Sequence, residues 1–298
     1  MKYRHRYHAG NFADVHKHVA LLALLQSLQQ KERGLLYLET HAGAGAYDLT
    51  APTGRHGAEA RHGVMALLQA PAPSSPALIH YCDAVRGWRS RIGAAHTYPG
   101  SPLLLGQALR SQDRGVFYEL LPTECRALER ALASSGGAGR RLRTHCADGY
   151  AGVAANLPPV ERRALILIDP PYEQPAEVEQ ALLAIDEILG RLANAVVALW
   201  YPIKDERWLA GWQARAASRL STPATTLELW LYPRDARVAL NGSGLLIINP
   251  PYQFDSAARL WQAELRTALE QERPGGAIFG GDAVNVLVGE QEGHHERA

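Results

Sequence analysis

Residues 164–168, A-L-I-L-I, are apolar without interruption and run directly into Asp169-Pro170-Pro171-Tyr172. A short unbroken apolar run closed by prolines reads as a strand buried on both faces, inside a parallel sheet. Pro170 and Pro171 have no backbone donor and a fixed φ, so the ladder stops there and the turn is stiff. The chain is therefore an α/β protein. Asp169 and Tyr172 should stand at the strand's carboxyl end, the rim where open α/β sheets bind ligands.

The rest of the chain can be laid out around that strand. Residues 11–30 form a helix with Val15, Val19, Leu22, Leu25 and Leu28 at helical spacing, Asn11 as N-cap and Asp14 in the first turn. Lys17 and His18 fall on this helix, where a lysine is ordinarily a solvated-face residue and spacing alone says little about either. Residues 35–39 read as the first strand, leading into T-H-A-G-A-G. Gly43 and Gly45 there would let the backbone turn sharply and approach a ligand. Asp48 stands where the dinucleotide fingerprint needs its third glycine, which argues against a nicotinamide or flavin oxidoreductase.

Residues 46–100 differ in character, with Pro, Gly and Ser punctuation and helical patterns over 58–69 and 76–92. They read as a small helical insertion hanging over the ligand rim. Ser101-Pro102 then reads as an N-cap and first-turn pair opening the next helix. The division is thus 1–45 (arm, helix and first strand), 46–100 (insertion), 101–289 (the remaining α/β domain) and 290–298 (a disordered tail). A second strand ends near Glu119, which lies 119 − 43 = 76 residues beyond the glycine loop. Subtracting the insertion brings that gap near the distance at which an acid takes ribose hydroxyls. A third strand over 141–145 leads to Asp148, suited to accept from an adenine amino group; either acid could instead only cap a helix. Strands six and seven of the main sheet, joined by residues 234–243, read as a hairpin that makes the seventh antiparallel. The i, i+4 pair Trp208 and Trp212 reads as core packing.

Formal net charge is +1, which does not indicate a globally basic nucleic-acid binder. Residues 1–8, however, carry Lys2, Arg4, His5, Arg6 and His8 without an acid, interleaved with Tyr3 and Tyr7. Cations beside aromatics suit an unpaired nucleotide; a solvated tail is the bland alternative. No apolar run reaches the ~20 residues that span a bilayer, and no apolar leader is seen at the N-terminus. Cys82, Cys125 and Cys146 are odd in number and form no C-x-x-C, so reduced thiols in a cytoplasmic protein are expected. His16 and His18 would not share a helix face, and no metal-ligand pattern occurs.

Asp-Pro-Pro-Tyr at a strand end resembles the signature of S-adenosylmethionine-dependent amino-methyltransferases. The chemistry accounts for the residues. An exocyclic base amine is a poor nucleophile because its lone pair is delocalised. Acceptors at Asp169 and at the rigid Pro170 carbonyl can bind both N–H groups and turn that lone pair toward a methyl donor. Tyr172 offers a face for a base that must be unpaired or flipped out.

Beyond this string, the chain resembles the bacterial 23S ribosomal RNA (adenine-N6) methyltransferases of the RlmJ family. The segments that carry the likeness are Y-R-H-R-Y-H-A-G-N-F-A-D-V-H-K-H (3–18), Y-L-E-T-H-A-G-A-G (37–45), Y-P-G-S-P (98–102), A-D-G (147–149), L-I-L-I-D-P-P-Y-E (165–173) and L-W-Y-P (199–202). The resemblance implies a Rossmann-like class I methyltransferase sheet, mostly parallel with the last strand antiparallel, and a helical insertion after the first strand. It implies S-adenosylmethionine as cofactor and 23S ribosomal RNA as partner, with no metal, no membrane, and a monomer. Asp169 is then the catalytic acceptor, with Pro170 and Tyr172 beside it. Lys17, His18, His41, Gly43, Ser101, Glu119, Asp148 and Gly149 surround the cofactor, and Tyr3, Arg4 and His5 meet the RNA. His41 departs from the general methyltransferase loop.

Asn249-Pro250-Pro251-Tyr252 repeats the pattern after another apolar strand. If that strand is antiparallel, its carboxyl end falls on the opposite rim from the glycine loop, which assigns the chemistry to Asp169. Competing readings are a DNA adenine or cytosine amino-methyltransferase, a protein-glutamine methyltransferase, and a non-catalytic RNA-binding protein with a vestigial cofactor pocket.

Overall fold

A computed structural model describes residues 8–50, 58–134, 141–232, 240–270 and 280–289. Tyr3, Arg4 and His5, and the tail from 290, lie outside the described residues.

The chain opens with α1 (Phe12–Gln29) and β1 (Leu36–Glu39). Residues 46–100 follow with β2 (Ala46–Asp48), α2 (Ala58–Arg61), α3 (Val64–Gln69), α4 (Pro76–Ile92) and β3 (Thr97–Pro99). Alternation then resumes with α5 (Ser101–Ala108), β4 (Arg114–Tyr118), α6 (Pro122–Ser134), β5 (Arg141–His145), α7 (Gly149–Asn156), β6 (Ala164–Ile168), α8 (Ala176–Arg191), β7 (Val196–Ile203) and α9 (Glu206–Arg219). β8 (Ala224–Trp230), β9 (Gly242–Ile248), α10 (Phe254–Leu269) and β10 (Gly281–Val288) complete it.

Eight strands form one sheet in the order β10-β8-β9-β7-β6-β1-β4-β5. β5, β4, β1, β6 and β7 are parallel, while β9 runs antiparallel to both β7 and β8, and β10 is antiparallel to β8 at the edge. β6 is buried along its whole length, as its apolar run requires. The order reverses around β1, whose neighbours are β6 and β4, so β1 and β6 end at a topological switch point. One core lies between the sheet and α1, α5 and α10; the other lies beneath α7, α8 and α9.

Asn11 caps α1 as its sequence predicts, its side chain accepting from the Asp14 amide at 2.9 Å. The helix is buried on nearly every side, however, because α4, α5, β9 and α10 all pack on it. Lys17 is therefore only 4% exposed, not on a solvated face. His16 and His18 diverge as expected: His16 meets Ser243 and Gln262, and His18 meets Tyr98. Trp212 stacks on Tyr201 in the core, and Trp208 is half-buried.

Three readings need correction. Ser101 is not an N-cap: Gly100 holds that position, and the Ser101 hydroxyl donates instead to Glu39 Oε2 at 2.9 Å. A buried carboxyl group at the end of β1 needs a hydrogen-bond partner more than a helix terminus does. Residues 46–100 are not wholly helical, because β2 and β3 pair as an antiparallel ribbon near their two ends. Cys125 and Cys146 are not free thiols: they form a disulfide, with Cys82 left reduced and buried. Packing α6 against β5 brings the two sulfurs together across 21 residues, a consequence of the crossover that spacing does not reveal.

Candidate active site

A cavity of about 1160 Å³ opens at the carboxyl ends of β1, β4, β5, β6 and β7. Its glycine wall is the turn after β1, where Gly43 and Gly45 have φ of +64° and +78°. A Cβ on Gly43 would sit 2.3 Å from the Tyr47 hydroxyl, so only glycine leaves this surface open. Glu119, following β4, accepts from the Gly43 amide at 2.9 Å and from the Leu121 amide at 2.7 Å. It thereby ties the glycine turn to the end of β4 while lining the cavity. Asp148 caps α7 by accepting from the Tyr150 amide, yet it is exposed and also faces the cavity. Gly149 is absent from the lining; it lies behind, where an added Cβ would come within 2.0 Å of the Thr40 carbonyl oxygen. His41 packs edge-on to Tyr150 with ring centroids 5.0 Å apart, and burial lowers its pKa.

Below the glycine turn, Glu39 is fully buried, accepting from the Tyr37 hydroxyl at 2.6 Å and from Ser101. Burial lifts its carboxyl to about 8, against the pull of those two hydroxyls. The folded chain thus holds a proton that the unfolded chain has already released between the ordinary carboxylate range and about 8. Stability falls with rising pH across that window and levels off above it. Glu39→Gln should remove the dependence. Melting curves should show wild type losing, relative to the variant, on the order of 1 kcal/mol per pH unit up to about pH 8. Parallel curves for the two proteins would contradict a buried protonated Glu39.

The end of the cavity that holds Asp169 is built by α1 and β6. Lys17 Nζ lies 2.6 Å from Asp169 Oδ2 and 3.0 Å from Asp14 Oδ1. Asp14 is itself held by the Gly10 amide at 2.9 Å. Burial alone would depress the Lys17 ammonium, but the two carboxylates outweigh it and raise its pKa. Tyr172 follows the two prolines with φ +52°, and its hydroxyl donates to the Trp200 carbonyl at 2.7 Å. The tyrosine ring is thereby clamped beside Asp169, with Trp200 of the next strand alongside.

The cavity thus gathers Asp169, Pro170, Tyr172, Lys17, His18, His41, Gly43, Ser101, Glu119 and Asp148. Asp14 and Trp200 were missed from the sequence. The D-x-x-K spacing of α1 puts Asp14 and Lys17 on one helix face, and Trp200 lies near the end of the strand beside β6. The second diproline string is on the other rim: Asn249 follows the antiparallel β9 and donates to the Ala193 and Ala195 carbonyls at 2.9 Å, and Tyr252 is 91% exposed.

Residues 32–279 match the family described as ribosomal RNA large subunit methyltransferase D, RlmJ. The chain belongs to the RlmJ family. Ribosomal RNA large subunit methyltransferase J of Escherichia coli (strain K12) is 35% identical over 260 residues, spanning 86% of this chain and 89% of that one. Its namesake from Haemophilus influenzae is 33% identical over 261 residues, with the same shares. A solved structure of a Legionella pneumophila protein superposes with a TM-score of 0.80 at 32% identity, covering 94% of this chain and 98% of the other. As an RlmJ-family member, the chain is a methyltransferase, and S-adenosylmethionine is its cofactor. The residues fit that molecule: a glycine surface lets backbone approach it, and Glu119 and Asp148 offer acceptors for its hydroxyl and amino groups. Carboxylates also outnumber ammonium groups around the cavity, which favours a cationic sulfonium.

Proposed function

We propose that the chain methylates the exocyclic N6 amine of an adenine in 23S ribosomal RNA, with the base unpaired or flipped into the cavity beside Asp169. The observation that carries this reading is the Lys17–Asp169 contact at the switch point, within the cavity that also holds the glycine turn. S-adenosylmethionine, when bound, supplies an electrophilic methyl group. Lys17 occupies Oδ2 of Asp169, which leaves Oδ1 to accept one N–H of the amine while the Pro170 carbonyl accepts the other. This arrangement directs the nitrogen lone pair and stabilises the positive charge that grows on nitrogen. Tyr172 presents a ring for the base. His18, His41, Gly43, Ser101, Glu119 and Asp148 surround the cofactor, with Gly149 supporting the wall from behind. The arm with Tyr3, Arg4 and His5 holds the RNA.

Residues 46–100 act as an inserted subdomain whose Glu59 and His62 reach the cavity rim. The enzyme works as a monomer, without a metal, in the cytoplasm with its ribosomal RNA. No helix among the described residues is long and apolar enough to cross a membrane.

Transfer of labelled methyl to 23S RNA, 16S RNA and plasmid DNA, followed by nucleoside mass spectrometry, tests the proposal. Label in 23S RNA as N6-methyladenosine is the expected result. Label in DNA, in protein or on another base overturns it.

A further inference from the structure

Behind Trp200, a line of buried polar side chains runs from α10 through α1 and β9 to the cavity wall. Trp200 Nε1 donates to Ser243 Oγ at 3.0 Å. Ser243 Oγ lies 3.0 Å from His16 Nδ1, and His16 Nε2 lies 2.8 Å from Gln262 Oε1. The Gln262 amide nitrogen donates to the carbonyls of Ala283, at 3.1 Å, and Glu228, at 3.4 Å. His16, Ser243 and Gln262 are all fully buried.

These contacts permit one polarity. Gln262 spends its N–H groups on two carbonyls, so its oxygen faces His16 and must accept. The His16 hydrogen is then on Nε2, and bare Nδ1 takes the Ser243 O–H. The Ser243 oxygen is left to accept the indole N–H. Every donor has an acceptor only while His16 is neutral, and burial does hold its pKa down, to about 4.

At the other end of this line, Trp200 is half-buried and lines the cavity. Its ring centroid is 5.9 Å from that of Tyr172, with the planes at 56°, and Lys17 Nζ is 6.0 Å from the indole centroid. Two fixed aromatic rings, tilted to one another beside Asp169, offer a planar base one ring to stack on and a second to stand against as a side wall.

We propose that Trp200 is the second wall of the target-base pocket, and that His16 and Ser243 are positioning residues that set the angle of its indole from within the core. This rests on the reading of adenine as the methylated base.

Steady-state kinetics with an RNA substrate, cofactor binding by calorimetry and a thermal melt are compared for Trp200→Ala, Ser243→Ala, His16→Asn and each of the last two combined with Trp200→Ala. Trp200→Ala should raise the RNA KM about tenfold and leave cofactor affinity within about twofold. Ser243→Ala and His16→Asn should each raise the RNA KM about fivefold alone and add nothing once Trp200 is gone. Equal effects in both backgrounds, a parallel loss of cofactor affinity, or an unchanged RNA KM overturn the proposal. Should the core variants not fold, wild type labelled with 5-fluorotryptophan gives the answer. The Trp200 fluorine resonance, assigned by its loss in Trp200→Ala, should shift when an adenine-containing RNA oligonucleotide binds; a resonance that stays put overturns the pocket wall. Wild-type enzyme that methylates no RNA would instead remove the underlying substrate reading.

Discussion

Asp169→Ala is expected to reduce single-turnover methyl transfer by at least about 10³-fold while leaving S-adenosylmethionine binding within a few-fold. Removing one preorganised charge-stabilising group from a site of this kind costs about 10²–10³ in rate. In the proposed mechanism the same side chain also orients the amine, which should push the loss to the upper end or beyond. Asp169→Asn keeps the shape and one acceptor but no charge, and Lys17 would then face a neutral amide. It should fall between wild type and Asp169→Ala. The control is Asn249→Ala. Its side chain fastens the opposite rim through the Ala193 and Ala195 carbonyls, so turnover should stay within about twofold of wild type. An inactive Asn249→Ala beside an active Asp169→Ala would move the site to the wrong end of the sheet and discard the mechanism.

Lys17→Met carries the second large effect, felt in both stability and rate. Lys17 and Asp14 have side chains only 5% and 3% exposed, and Asp169 only 16%. Taking away the ammonium strands two carboxylates in a poorly hydrated slot, and breaking a buried pair in this way costs about 3–5 kcal/mol. Chemical denaturation should show that loss. Adding Asp14→Asn should restore part of it by removing one of the stranded charges, without restoring methyl transfer, because Asp169 would still lack its clamp. If the double variant recovered activity along with stability, Lys17 would be a structural counterion alone.

Much of this site was legible because chemistry and strand grammar coincide. An apolar run closed by two prolines permits almost no structure but a buried strand with a stiff end, and it placed Asp169. The glycines after β1 and the acid after β4 were readable for the same reason: each lies just past a strand end on the rim that parallel topology selects. Asp14, Lys17 and Trp200 depend instead on which surface α1 and β7 present after packing. Helical periodicity says little about Lys17, since it cannot show that α1 is enclosed on nearly every side. Ser101 illustrates a competition between partners: local sequence saw the helix terminus and not Glu39, which is 62 residues away and hidden in the floor of the cavity. The Cys125–Cys146 pairing was out of reach for a similar reason, since it depends on tertiary closure across a crossover.

The two ends of residues 46–100 meet closely, the Gly100 amide donating to the Gly45 carbonyl at 2.6 Å. By chain connectivity, then, the segment looks like an appendage that could be snipped out and the gap sealed. Its interior says otherwise, because α4 packs on α1 and both α3 and α4 reach α10. Excision would lay bare a flank of the very helix that carries Lys17 and admit water to the slot that keeps it dry. A stripped-down catalytic core cannot be carved from this protein along its own sequence seam.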